Sequence, residues 1–211
     1  MAFEADLAPA SVLPELAGTV FDNDEPRPAL VRISQAFGLS PLDFIGLAVK
    51  LPDVYGEGFD QDFILVSSSR LPVLRRLPFP AAGIFSDAFF CSGTSYTVAG
   101  KEFVLGGEFR SAGPHPWQPA LGLPSPTSVV LDLLCATPRG AWHLVGEVTL
   151  LRRWGGRDLA LRFNPATSGG GIQAGGAVNH ARSIIYRYFQ RARPAVTRSW
   201  APEPLRETGE A

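Results

Sequence analysis

The sequence predicts a predominantly β fold of the α+β class, a closed antiparallel β-barrel with a C-terminal helix. From Gly18 onward, short apolar runs alternate with turn residues, which is how all-β domains read. In the second half, three such runs follow one another across short turns such as TPRG and GGR, the pattern of an antiparallel meander. Many of these runs are apolar on both faces, so something must cover the outside as well as fill the inside. A barrel with a helix packed on it meets that need and leaves no open sheet edge.

Residues 1–17, rich in Ala, Pro and Leu, read as an N-terminal arm. The barrel domain is expected over 18–193, and 194–211, rich in Pro and charge, reads as a flexible tail. GTVF (Gly18 to Phe21) and ALVRIS (Ala29 to Ser34) are expected to pair as a hairpin across the acidic turn DNDEPRP. DFIGLAVKLP (Asp43 to Pro52) and FILVSSS (Phe63 to Ser69) supply two more strands. In RLPVLRRL, Leu71, Leu74 and Leu77 fall three apart, which suits one or two helical turns, and a partly helical stretch continues towards Ser92. Further strands are expected at Glu102 to Ser111, Thr127 to Pro138, Gly140 to Trp154 and Arg157 to Pro165. ATSGGGIQAGGAV then reads as a flexible connector.

A chain of 211 residues, 45% hydrophobic and only 18% charged, is long and apolar enough to bury a real core and too apolar to be disordered. A net charge of -1 carries no footprint for a nucleic acid or a membrane, so any basic function is local. The start of the chain carries acids rather than a basic segment before an apolar run, so it does not read as a secretory signal, and no window approaches a transmembrane span. The expected location is cytoplasmic. Cys91 and Cys135 stand far apart without a CxxC or His-spaced companion and are expected to be buried free thiols.

Most candidate motifs fall away on context. GGGIQAGG fits G-x-G-x-x-A by letter, yet it has no βαβ series around it and no acid about twenty residues on. The clusters DNDE (Asp22 to Glu25) and EGFDQD (Glu57 to Asp62) lack calcium-loop spacing and read as solvated turns. His115, His143 and His180 are scattered, with His143 on the Glu147 and Thr149 side of its strand, a solvent face.

VNHARSIIYRYFQRAR (Val178 to Arg193) remains. Arg182, Tyr186, Gln190 and Arg193 recur at intervals of four, four and three, lining one face of a helix over about 178–193. An arginine-rich outer face, packed on the barrel through Ala181, Ile184, Ile185 and Phe189, accounts for the helix alone. Two upstream phrases extend the pattern in order: Val31-Arg32-Ile33-Ser34 and Gly46-Leu47-Ala48-Val49-Lys50-Leu51. Taken together with R-x-x-x-Y and Q-R-x-R on the helix, the chain resembles the haem-binding core of the catalase family, over roughly residues 18–67 and 156–193.

The resemblance implies haem b as cofactor, with Tyr186 as the axial ligand to iron and Arg182 as the cation that stabilises its phenolate. A phenol with an ordinary pKa near 10 must lose its proton to bind ferric iron, and a guanidinium one turn away favours that loss. It further implies that Arg32 and Arg193 clamp the propionates, for which the planar guanidinium fork is suited, with Gln190 beside them. Val31, Ile33, Ile185 and Phe189 would line or support the apolar pocket. The chain departs from the family on the distal side: no histidine precedes His115, and Ser67, Ser68 and Ser69 occupy the stretch where the family has an asparagine. Hydroxyls of Ser34, Ser67 and Ser68 can hydrogen-bond a peroxide but cannot shuttle its proton as an imidazole does.

Two classes of function stay open. One is a haem enzyme acting on a hydroperoxide, or oxidising a small organic substrate with peroxide, with weak catalase turnover. The other is a binding or structural barrel that carries haem or another apolar ligand without turnover. Neither calls on nucleic acid or membrane, and the resemblance allows a homo-oligomer.

Overall fold

A computed structural model describes residues 2–10, 13–22, 25–35, 42–82, 88–110, 129–155 and 161–175. The predicted helix at 178–193, the tail at 194–211, His115 and His180 lie outside them.

Twelve strands follow in chain order: β1 (Ala2–Pro9), β2 (Arg27–Gln35), β3 (Leu42–Asp43), β4 (Ile45–Leu51), β5 (Gln61–Ser68), β6 (Ala81–Ala82), β7 (Phe89–Cys91), β8 (Tyr96–Val98), β9 (Lys101–Arg110), β10 (Val129–Ala136), β11 (His143–Arg153) and β12 (Ile172–Ala174). Eight of them, β1, β2, β4, β5, β7, β9, β10 and β11, close into an antiparallel barrel in which each strand pairs with the next barrel strand along the chain and β11 returns to β1. β8 and β12 extend the first residues of β9 beyond the barrel, and β3 pairs with β6.

The closure follows from strands that alternate and turns that allow it. Phe3, Ala5 and Leu7 on β1, Val31 and Ile33 on β2, Leu47, Val49 and Leu51 on β4, Phe63 and Leu65 on β5, and Leu131 and Leu133 on β10 all belong to one buried core. Residues between them face outward. On β11 the register slips opposite Leu133/Leu134, so that Val145, Val148 and Leu150 all reach this core. Eight strands enclose a space that side chains fill, and burial of each such Leu or Phe contributes about 1.5–3 kcal/mol. The interior is therefore a packed core, and ligand chemistry must be sought on the outer wall.

Two segments take different roles from those the sequence predicts. Residues 2–9 form barrel strand β1, not an arm, pairing with both β2 and β11. Gly18 to Phe21 is a turn, not a strand, and its apolar side chains plug one barrel mouth. Leu16, Val20 and Phe21 join the core, and the Phe21 ring stacks on Phe63 at 5.5 Å between centroids. The Thr19 hydroxyl holds this plug, donating to Leu16 O at 2.7 Å and accepting from Phe21 N at 3.3 Å.

Downstream, 70–77 makes the expected helical turn, with Arg75 N donating to Leu71 O, while the stretch expected to be partly helical contains strand β7. The strand expected from Arg157 to Pro165 is not one where it is described. Leu161 and Phe163 alternate because they lie on the outer wall against Ala2, Ala48 and Ile64. Among the described residues the only helix is the 3-10 turn Pro14–Leu16.

Candidate functional site

Arg32 and Ser34 point out of the barrel, because Val31 and Ile33, their neighbours on β2, are buried inside it at 0% and 2% exposure. Val31 and Ile33 therefore belong to the core and not to an outer pocket. Cross-strand pairing sets Ala2, Arg32, Ala48 and Ile64 in one outward row and Ser34, Gly46 and Val66 in the next. VRIS and GLAVKL, eleven residues apart between Ser34 and Gly46 in sequence order, thus lie side by side with Arg32 opposite Ala48.

This strip has low relief. Ala2, Gly46 and Ala48 carry little or no side chain, and a Cβ added at Gly46 would come within 2.8 Å of Ser34 Oγ. Ser34 Oγ itself lies 3.5 Å from Gly46 O, at the limit of a hydrogen bond. Leu161 and Phe163 cover the Ala2, Ala48 and Ile64 part of this wall, which leaves Arg32 and the Ser34–Gly46–Val66 row as its less buried part, and of these only the Arg32 guanidinium suits a carboxylate.

Ser67 and Ser68 are placed differently. Ser67 is buried on the inward side of β5, where its hydroxyl donates to Phe79 O at 2.7 Å and accepts from Ile45 N at 3.0 Å. Ser68 lies within 2.9 Å of Arg75 O and 2.8 Å of Leu77 O, tying the 70–77 turn to β5. Both hydroxyls hold backbone, and neither shares the row of Ser34. Tyr186, Arg182, Gln190 and Arg193 lie outside the described residues.

Beside the strip, a charged cluster replaces what EGFDQD suggested. Glu57 is exposed as expected of a solvated turn, but Asp62 is buried. Lys50 Nζ sits 2.7 Å from Asp60 Oδ2 and 2.8 Å from Asp62 Oδ1. Burial pushes Asp62 up to about 6, against the pull of Lys50 and the Asn164 N–H. Burial also works against the charge of Lys50, but its two carboxylates outweigh this and hold its pKa above the ordinary value. The directions agree physically, since Lys50 has two counterions while Asp62 shares its one with Asp60. Strand pairing makes this pair, Lys50 and Asp62 being directly opposite on β4 and β5.

A second buried cation lies on the other side of the barrel. Arg75 is 1% exposed, donates to Thr137 O and Gly140 O at 3.0 Å each, and sits 4.4 Å from the Trp142 ring centroid. Beneath it, Cys91 packs with Phe89, Val104 and Leu134. Burial raises the Cys91 thiol, and it raises Cys135, inside the barrel, to about 12. Both cysteines are the buried free thiols the sequence predicts.

His143 is exposed at the start of β11, and among the described residues no three His, Cys, Asp or Glu side chains converge to hold a metal ion. No described helix is long and apolar enough to cross a membrane. No protein-family model matches the chain, and no curated protein matches it.

Proposed function

We propose that the outer wall around Arg32 is one side of a haem b site, and that the protein is a haem-binding relative of the catalases. The observation that carries this reading is the pairing of Arg32 with Ala48 beside the Gly46 cradle, which brings together the two phrases of the family resemblance on one face. Tyr186 would bind the iron through its phenolate, Arg182 would stabilise that phenolate, and Arg32 and Arg193 would take the propionates, with Gln190 alongside. The bound group would supply redox-active iron for hydroperoxide chemistry. Ser34 is then the hydroxyl of the three that shares the wall with Arg32.

Binding without turnover is the second reading, and the engagement of Ser67 and Ser68 with backbone favours it. With those hydroxyls committed and no histidine before His115, distal proton transfer has no evident donor. A substrate, if turned over, would be a hydroperoxide or a small organic donor, and a homo-oligomer is compatible with either reading.

Haem titration of the wild type, Tyr186→Phe and Arg32→Ala, followed by absorption, tests both. A Soret band that shifts on Tyr186→Phe, with weaker uptake in Arg32→Ala, is the expected result. Absence of a Soret band, or one indifferent to Tyr186→Phe, removes the tyrosinate assignment. Oxygen evolution and dye oxidation then separate enzyme from carrier, and rates no higher than those of free haem leave a carrier.

A further inference from the structure

Residues 161–175 cross the outside of the barrel as a strap fastened at the start of β5. Leu161 and Phe163 bury on Ala2, Ala48 and Ile64. Asp62 Oδ2 accepts from Asn164 N at 2.7 Å, and Asp62 N donates to Thr167 O at 3.0 Å. Gln61, itself fully buried, donates through Nε2 to Thr167 O at 3.3 Å and accepts at Oε1 from Gly169 N at 3.2 Å and from the Tyr55 hydroxyl at 3.1 Å. The Tyr55 ring lies so close to Gly169 and Gly170 that a Cβ at either would overlap it, at 2.7 and 2.1 Å. The strap thus depends on Asp62 for its first hydrogen bonds and on Gln61 and Tyr55 for the next.

Charge at this fastening is unbalanced. One ammonium, Lys50, lies between two carboxylates, Asp60 and Asp62, and the Asp62 side chain is only 1% exposed. Among the described residues, no hydrogen bond reaches Asp62 Oδ1, which meets the Lys50 ammonium as an ion pair at 2.8 Å. Among the described residues, no charged side chain other than Lys50 forms an ion pair with Asp60 or Asp62. Glu4, in the same outward row, pairs with Arg152; Arg27 acts on Tyr55; and Arg162 of the strap is exposed. A buried cluster of net charge -1 is relieved by one proton.

We propose that residues 161–175 are a proton-tightened strap, seated on the barrel more firmly when the Lys50–Asp60–Asp62 cluster takes up one proton at Asp62. The sign follows from linkage. With the strap seated, Asp62 is buried and titrates at about 6; with the strap lifted it is solvated and returns towards the ordinary 3.8. The seated form therefore binds more protons across that window, and falling pH favours it. Two pK units set a ceiling of roughly a hundredfold on the shift in the seating equilibrium. The strap covers the Ala2, Ala48 and Ile64 part of the row that holds Arg32, but its seating calls on no bound group.

Hydrogen exchange on the full chain, corrected for intrinsic rates, tests it at about pH 7.5 and about pH 5. The expected result is slower exchange at the lower pH, by about tenfold or more, in peptides carrying the Asn164, Gly169 and Ile172 amides, with no matching change in β10. Asp62→Asn keeps an acceptor for Asn164 N but cannot ionise, so its strap should exchange slowly at both pH values. Asp60→Asn, at a more exposed position, leaves Lys50 and Asp62 as a balanced pair and should move the midpoint of the response to lower pH. Equal or faster strap exchange at the lower pH, a change shared by β10, or a wild-type response retained in either variant overturns the proposal.

Discussion

The guanidinium of Arg75 lies over the Trp142 indole at 4.4 Å while its two terminal nitrogens cap Thr137 O and Gly140 O, more than sixty residues away in sequence. Trp142 Nε1 answers by donating to Arg70 O at 3.1 Å. One buried cation thereby clips the 70–77 turn to the β10–β11 hairpin, with no carboxylate among the described residues paired with it.

Truncating that clip should be costly. Arg75→Met preserves much of the volume but removes the donors to two part-buried carbonyls, of which Thr137 O keeps the Gly140 N–H, and removes the cation–π contact, so a loss of about 1–3 kcal/mol is expected. Arg75→Lys keeps the charge but cannot span both carbonyls with a planar fork, and should recover only part of the loss. Urea denaturation of the three proteins measures it. A loss below about 0.5 kcal/mol in Arg75→Met would show that the clip contributes little.

How far the sequence foretold this fold depends on what each apolar residue packs against. ALVRIS, GLAVKL and VVLDLLCA alternate because one face meets a filled barrel, and periodicity reads that directly. FEADL alternates just as strictly, but Ala5 contributes little hydrophobicity and the acids dominate, so β1 reads as an arm. GTVF and LRF are apolar for tertiary reasons, as a mouth plug and a wall cover. β7 and β8, at three residues each, are too short for period to register. Asp62 shows the limit for chemistry: a composition of acids says turn, and only the pairing of β4 with β5 puts this one beside Lys50 and under the strap. Arg32, Gly46 and Ala48 stood out in sequence only as parts of two phrases, and the pairing of β2 with β4 sets those phrases side by side.

The two thiols should be inert in the native protein. Cys135 is pushed up to about 12 by burial, so at about pH 8 roughly one thiol in ten thousand is ionised, and Cys91 is raised by the same cause. A thiolate-selective chromogenic reagent is expected to find no rapidly reacting cysteine in buffer and two in denaturant. A rapid stoichiometric reaction of either cysteine in the native state would contradict the packing around it.

The turn between β8 and β9 holds a correctable strain. Ala99 and Gly100 both have positive φ, +48° and +78°, as a two-residue hairpin turn matched to the strand twist requires. A side chain in this left-handed region costs about 1–2 kcal/mol, less for asparagine, which tolerates it. Ala99→Asn should therefore stabilise the protein by about 0.5–1 kcal/mol, visible as a raised denaturation midpoint with an unchanged slope. A lowered midpoint would mean that the alanine methyl makes contacts worth more than the strain.

On the outer wall, Gly46 and Ser34 should prove energetically coupled. A methyl at position 46 would sit 2.8 Å from Ser34 Oγ, too close for contact, yet that oxygen ends a short side chain that can rotate away. Gly46→Ala alone should then cost about 0.5–1 kcal/mol, because the entropic gain from removing a strand glycine is spent on moving the hydroxyl. In a Ser34→Ala background the obstacle is gone, the same change should become neutral or stabilising, and the four proteins should give a coupling of about 1 kcal/mol. A coupling below about 0.3 kcal/mol would mean that Ser34 does not close the cradle and that the flatness of this strip comes from its small residues alone.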